Sequence, residues 1–89
     1  MISFQGRLED GNGKTVVATV EGSFGHRVLP GGLSFWSGWF TLPTERGLQL
    51  GDYLLVLEDG RSANILVTSV GPSSSGLGVA QFKVTGPPP

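Results

Sequence analysis

Apolar and polar residues alternate along several short stretches of this chain, as they do in strands that bury one face. The alternation begins at once, with Ile2, Phe4 and Leu8 each followed by a polar residue. Stretches of this kind cover residues 2–9, 14–24, 34–42, 51–70 (two strands joined by a turn) and 79–85. Short strands at roughly ten-residue spacing, with no credible long helix, predict an all-β domain. Since so short a chain must hide its sheet edges, we expect a small barrel of about six, mostly antiparallel strands.

The hairpin at 51–70 contains the clearest turn signal of the chain, Asp59-Gly60. Asp-Gly between apolar runs favours a two-residue type I′ turn, which would set Val56 opposite Ala63. On that register the two faces of the hairpin are Leu54, Val56, Ala63, Ile65 and Val67 on one side, and Tyr53, Leu55, Leu57, Asn64, Leu66 and Thr68 on the other. Both faces are largely apolar. A small barrel takes only one of them into its core, so we expect something outside the barrel to cover the other.

The stretch 34–42 is dense in aromatic residues on both of its faces. The face that also carries a glycine and a leucine is the better core candidate, which places Trp36 and Phe40 inside the barrel. Phe35 and Trp39 then point outward. They are ordinary core if neighbouring segments fold over them. Left open, they form an anchor for a partner protein or a platform on which a base or a sugar can stack.

The remaining segments are predicted to connect the strands. They are a loop at 25–33 with Pro-Gly-Gly at its tip, a short helical turn at 43–50 and a flexible loop at 71–78. We expect Val28 and Leu29 to pack back onto the barrel, and the helical turn or a second copy of the chain to cover the outer hairpin face. The whole forms one domain over residues 1–86, followed by a proline tail at 87–89.

Charge and composition narrow the function classes. The six basic and seven acidic residues are scattered singly and give a net charge of −1. Without a basic patch, nucleic acid is an unlikely partner, since phosphate contacts dominate that affinity. The chain has no cysteine, which excludes disulfides and thiolate chemistry and favours the cytoplasm. We find no signal-peptide pattern and no apolar run long enough to span a membrane.

No catalytic or metal-binding pattern emerges from the titratable residues. His26 and Arg27 lie in the predicted loop, where they could contact an anion, but no motif supplies a nucleophile or an orienting partner for the histidine. Asp10 begins an Asp-Gly-Asn-Gly run that is similar to the start of a calcium loop. However, Lys14 stands where such a loop has a metal ligand, and Thr15 stands where it has a glycine. We therefore expect a hairpin turn there, no metal, no cofactor and no enzyme activity within one chain.

One stretch resembles a known family. The run from Trp39 to Arg61 contains Leu-Pro, Gly-Asp and Asp-Gly pairs in that order. It is similar to the half-barrel unit of the swapped-hairpin, AbrB-like transition-state regulators and the wider cradle-loop barrels. The resemblance covers about a quarter of the chain and implies a barrel that assembles as a dimer. The DNA-binding role of that family needs basic residues, and only Arg46 lies in the matching helical segment, so that role does not carry over.

Two functions are consistent with this sequence. The first is a non-catalytic interaction or assembly module that binds itself or another protein through apolar strand faces. Its candidate surface is Phe35, Trp39, Tyr53, Leu55, Leu57 and Leu66. The second is a ligand- or nucleic-acid-binding barrel, AbrB-like or OB-like, in which Phe35 and Trp39 act together with Arg27.

Overall fold

The fold is a closed barrel of six antiparallel strands, seen in a computed structural model that describes residues 2–42, 48–72 and 78–86. The strands are β1 (Ile2–Glu9), β2 (Thr15–Val28), β3 (Ser34–Leu42), β4 (Gly51–Leu57), β5 (Ser62–Pro72) and β6 (Gly78–Val84). Around the barrel they follow the order β1-β2-β3-β6-β5-β4, and β4 closes against β1. The all-β barrel predicted from the alternation is therefore confirmed.

Some predicted connections differ from the observed ones. The strands β5 and β6 reach Pro72 and Gly78, so the predicted loop at 71–78 is shorter than expected. Residues 48–50 of the predicted helical turn contain no helix. The rest of that turn and the tail at 87–89 lie outside the described residues.

Three of the hairpins are built in the same way. In each, the backbone N–H of the residue before a three-residue loop donates a hydrogen bond to the carbonyl of the residue after it. The donor and acceptor residues are Asp10 and Lys14, Leu29 and Leu33, and Leu57 and Arg61. Each loop ends on a glycine with positive φ, namely Gly13, Gly32 and Gly60. Such loops carry a bulge at the glycine, the only residue that takes this conformation without strain.

The predicted two-residue turn at Asp59-Gly60 is therefore wrong. Asp59 does not have the positive φ that a type I′ turn requires of it, and Glu58 belongs to the loop as well. The extra loop residue shifts the register by one, so Leu55 rather than Val56 lies opposite Ala63. Because side chains alternate along a strand, this single step exchanges the two faces of β4.

The β2–β3 hairpin is longer than the sequence indicates. Strand β2 does not end at Phe24 but continues to Val28, pairing His26 with Trp36 and Arg27 with Phe35. The neighbouring strands β1 and β6 stop short of this region, since their pairing reaches only Phe24 and Ser37. Residues 25–36, which we call the hairpin arm, thus extend beyond the barrel as two strands of their own.

The arm also overturns the expected packing of its tip. Val28 and Leu29 do not fold back onto the barrel, because 68% and 44% of their surfaces remain exposed. Leu33, on the returning strand, is 72% exposed. A loop over 25–33 could have covered the aromatic strand, whereas a paired β-ladder holds this segment away from it.

The barrel interior alternates large and small side chains. Four buried phenylalanines contact one another in a chain of ring pairs 5.7–6.1 Å apart, Phe4–Phe24, Phe4–Phe82 and Phe40–Phe82. Two inward glycines face them: Gly22 is paired with Phe4 and Phe40, and Gly38 with Phe24 and Phe82. A Cβ on either glycine would overlap the backbone carbonyl of the adjacent strand. The glycines therefore allow close strand approach where the rings need room.

A bulge in β2 changes which of its residues enter the core. Gly6 pairs with Val20 but Leu8 pairs with Val17, so β2 contains an extra residue between these pairs. The even-numbered positions face inward from Val20 onward, but before the bulge an odd-numbered position does. Val17 is therefore buried while Ala18 is exposed. The bulge thus allows Val17 and Val20, three residues apart on the strand, both to face the core.

Candidate interaction surface

The outward side of β3 carries the largest exposed side chain of the barrel wall. Trp39 lies between Ser23 on β2 and Gln81 on β6 and is 39% exposed. Phe40, the next residue, is fully buried, as the choice of core face predicts. Phe35 is half-buried on the same outward side. The sequence therefore placed Phe35, Trp39 and Phe40 on the correct faces, whereas Trp36, predicted inside the barrel, is half-buried in the hairpin arm and packs against the edge of the core.

A groove of about 400 Å³ lies on the β6 side of Trp39, and we call it the basic groove. Arg27 and Lys83 line it together with Phe35, and the Lys83 ammonium lies 5.3 Å from the centre of the Phe35 ring. This cation–π contact holds the ammonium over the aromatic surface. None of the described residues that line the groove carries a carboxylate, so its charge is positive.

A second groove, of about 500 Å³, lies on the β2 side of Trp39, and we call it the acidic groove. Glu21 and Glu58 line it, and none of its described lining residues is basic. The Gln5 amide donates a 2.7 Å hydrogen bond to the Glu21 carboxylate, which fixes the position of that charge. Trp39 borders both grooves and so separates a positive region from a negative one.

The tip of the hairpin arm continues the apolar surface. Strand alternation places Leu29 and Leu33 on the same side of the hairpin as Arg27, Phe35 and Trp39. We call these five residues the hairpin face. Both leucines are exposed, so the apolar strip runs from the barrel wall to the end of the arm.

His26 and Arg27 do not form the shared anion site that the predicted loop would have allowed. Both lie within β2, where neighbouring side chains point to opposite faces. The His26 ring stacks on Trp36 at 5.2 Å and 29°, whereas Arg27 lines the basic groove. The β-ladder, which replaces the expected loop, is the reason that they are separated.

Leu55 and Leu57, predicted as part of an interaction surface, lie inside the barrel instead. Only 2% and 5% of their surfaces are exposed, because the one-residue register shift turns them inward. Leu66 does face outward, at 36% exposure, and pairs with Lys83 next to the basic groove.

Tyr53 also turns inward and packs against the edge of the core, half-buried. Its hydroxyl donates a 2.7 Å hydrogen bond to the Gln49 carbonyl. Burial, and secondarily the negative charge of Asp10, raise the pKa of the Tyr53 hydroxyl. The hydrogen bond thus ties the Tyr53 side chain to the segment that precedes β4.

Sequence reasoning missed Lys83, Glu21, Leu29 and Leu33 as members of this surface. Alternation along β6 predicts that Lys83 points to the face opposite that of Phe82. Only the strand pairing shows which aromatic side chain Lys83 approaches. The signal for the two leucines was present in the sequence. They flank Pro-Gly-Gly at the positions that close a three-residue hairpin loop.

The remaining candidate chemistry resolves into structural roles. The Asp10 carboxylate accepts hydrogen bonds from the backbone N–H groups of Asn12 and Lys14, which makes the predicted calcium-like run a hairpin turn. Within the described ranges, no three His, Cys, Asp or Glu side chains converge as metal ligands would. The same residues include no helix of the length and apolarity needed to cross a membrane.

Comparison with known proteins adds no relative to this picture. No family model matches the chain, and neither a curated protein nor a solved structure is significantly similar to it. The resemblance of Trp39–Arg61 to AbrB-like regulators thus has no support from a family match.

Proposed function

We propose that this chain is a non-catalytic assembly module that self-associates through the hairpin face. One observation carries the proposal. Of the seven large apolar side chains exposed in the described residues, three lie on the hairpin face, namely Leu29, Leu33 and Trp39, and a fourth, Val28, lies on the other side of the same hairpin. The same proposal assigns the module to the cytoplasm, in keeping with a chain that has no cysteine.

The composition of the hairpin face supports a protein partner. Exposed apolar side chains concentrated on one element are typical of interaction sites, whereas scattered ones are normal. Trp39 and Arg27 are of the residue types that contribute most to binding energy at protein interfaces. The arm itself has two strand edges that pair with neither β1 nor β6 among the described residues, and such edges favour association.

The oligomeric state tests this proposal. Light scattering coupled to size exclusion, over a range up to high micromolar concentration, should show concentration-dependent association. Leu33→Ser should weaken it, because this side chain is 72% exposed at the arm tip. Leu50→Ser is the matched control, as Leu50 is 61% exposed but lies outside the hairpin. A wild-type monomer throughout, or equal weakening by both variants, would contradict the proposal.

A second candidate function rests on the basic groove. Two cations beside two aromatic side chains suit a ligand that combines a planar ring with negative charge, such as a nucleotide unit of single-stranded nucleic acid. In a Trp36→Phe background, Trp39 is the single tryptophan and reports on the groove. Titration with single-stranded DNA or RNA should change its fluorescence. No response to either would count against this function.

A further inference from the structure

The strand register places opposite charges symmetrically about Trp39. Lys83 on β6 pairs with Ser37, two residues before Trp39 on β3. Glu21 on β2 pairs with Thr41, two residues after Trp39. Lys83 and Glu21 thus occupy equivalent positions, each one strand and two residues away from Trp39, in diagonally opposite directions.

The grooves extend this symmetry beyond one pair of charges. Arg27 lies on the Lys83 side, in the basic groove, and Glu58 on the Glu21 side, in the acidic groove. All four side chains are exposed and available to another molecule. Consider a two-fold axis that lies above Trp39, parallel to the sheet and perpendicular to the line from Lys83 to Glu21. Rotation by 180° about this axis generates a facing copy whose Lys83 lies over Glu21 of the first copy and whose Glu21 lies over its Lys83.

We propose that two copies of this chain pack face to face about such an axis, with Trp39 against Trp39 and Lys83 of each copy against Glu21 of the other. The inference rests on the self-association proposed above and specifies its geometry. In a two-fold interface the same patch serves both partners and must be complementary to itself. A surface with an aromatic centre and opposite charges on its two sides meets that condition.

The charges select a second copy over an unrelated protein. A partner with its own surface could be complementary to the basic groove or to the acidic one, without relating them to each other. A copy of this chain necessarily presents both, at the spacing that the register sets. The interface therefore gains two Lys83–Glu21 contacts and the desolvation of two tryptophan rings.

Charge reversal tests the arrangement in the full chain. Lys83→Glu places like charges at both symmetric contacts and should weaken the dimer about tenfold at low salt. Glu21→Lys should have the same effect. A mixture of the two variants should regain near wild-type affinity, because every contact in the mixed dimer again joins opposite charges. The measurement is the dissociation constant from analytical ultracentrifugation.

Lys14→Glu is the control, since it changes the net charge by the same amount at an exposed position in the β1–β2 loop. It should leave the affinity near that of the wild type. Circular dichroism of each variant confirms that the barrel is folded.

The outcomes separate the two proposals. If the wild type associates but Lys83→Glu behaves like Lys14→Glu, or if the mixed variants do not recover, this arrangement is overturned while self-association stands. If the wild type is monomeric at every concentration, both proposals fail. A monomer that binds single-stranded DNA through Lys83 would assign the basic groove to a ligand and would also overturn the arrangement.

Discussion

The β2–β3 and β4–β5 hairpins begin from the same kind of sequence, but among the described residues the first leaves four large apolar side chains exposed and the second only Leu66. Both carry apolar residues on the two faces of their strands. Both also turn through a three-residue loop that ends on glycine. In β4–β5 the large side chains Leu55 and Leu57 enter the core. In β2–β3 the core takes Phe24 and Phe40, but Trp39 and the arm tip stay exposed.

The neighbouring strands explain the difference. On the outward side of β4, Leu54 and Val56 are half-buried beside Glu9 and Arg7 of β1, whose side chains form a 2.8 Å ion pair. The aliphatic stems of such a pair cover apolar surface while the charges remain in water. Trp39 has the shorter Ser23 on one flank, and the arm has no strand beside it in the described structure. Exposure is thus decided by the adjacent strand more than by the strand itself.

The largest contrast that we expect lies within β3, at two consecutive residues. Phe40→Ala should lower the free energy of unfolding by about 3–5 kcal/mol, because it removes a fully buried ring. Trp39→Ala should cost a monomer about 1–2 kcal/mol, because this ring is 39% exposed, and should in addition weaken association. Urea unfolding at low protein concentration measures both. Similar losses of stability would show that the two faces of β3 are not distinct.

The same contrast in β4 tests the observed register of the second hairpin. Leu55→Ala should destabilise the barrel by about 2–4 kcal/mol, since this side chain is in the core. Leu54→Ala, half-buried on the outward side, should cost about half as much or less. Urea unfolding again gives the values. A greater loss at Leu54 would restore the two-residue turn and its register.

The glycines of the barrel wall give the next effect in size. Gly22→Ala should destabilise by about 1–3 kcal/mol or more, because the new methyl group meets the Trp39 carbonyl and the strands must separate. Gly11→Ala is the control, as a Cβ there has nothing within 4 Å and its φ is not positive. Thermal unfolding of the two variants should differ accordingly. Equal midpoints would mean that the strands do not approach this closely.

The smallest expected effect concerns the β4–β5 turn. The backbone N–H of Arg61 donates to the Asp59 carboxylate at 3.0 Å, and this bond, aided by the Arg61 guanidinium, lowers the pKa of Asp59. A carboxyl group with a folded pKa below its unfolded value stabilises the fold above the unfolded value, about 3.9, and loses this as the pH falls through the folded pKa.

Asp59→Asn should therefore remove a small part of the acid sensitivity of the barrel. Its thermal midpoint should fall less than that of the wild type between about pH 6 and about pH 2.5. Because Asp59 is fully exposed, added salt should reduce the difference. An identical pH profile for both proteins would show that the turn contributes nothing measurable.

The sequence was sufficient for the number of strands, the barrel and the two faces of β3. It was not sufficient for register. Asp59-Gly60 is compatible with a loop of two residues, in which both have positive φ, or with a loop of three, in which Glu58 joins the loop and only Gly60 has positive φ. The bulge in β2 leaves no trace either, because Val16 and Val17 are equally good core residues and only pairing with β1 decides between them.

The candidate surface could be predicted only in part, because it too depends on the strand register. Phe35 and Trp39 follow from alternation within one strand. The charges around them belong to β2 and β6, and their places relative to Trp39 depend on the pairing of three strands. The arm was missed because Gly25 and Pro-Gly-Gly suggested a loop, although a β-ladder accommodates both at its ends.

The alternation along β3 also has an evolutionary consequence. Positions 36, 38, 40 and 42 face the core or its edge, and selection for folding acts on them. Positions 35, 37, 39 and 41 face outward, where selection for a partner would act. Consecutive residues are thus under different selection. Relatives of this protein should conserve the side chains at the even positions, whereas those at the odd positions should vary with the partner that each relative binds.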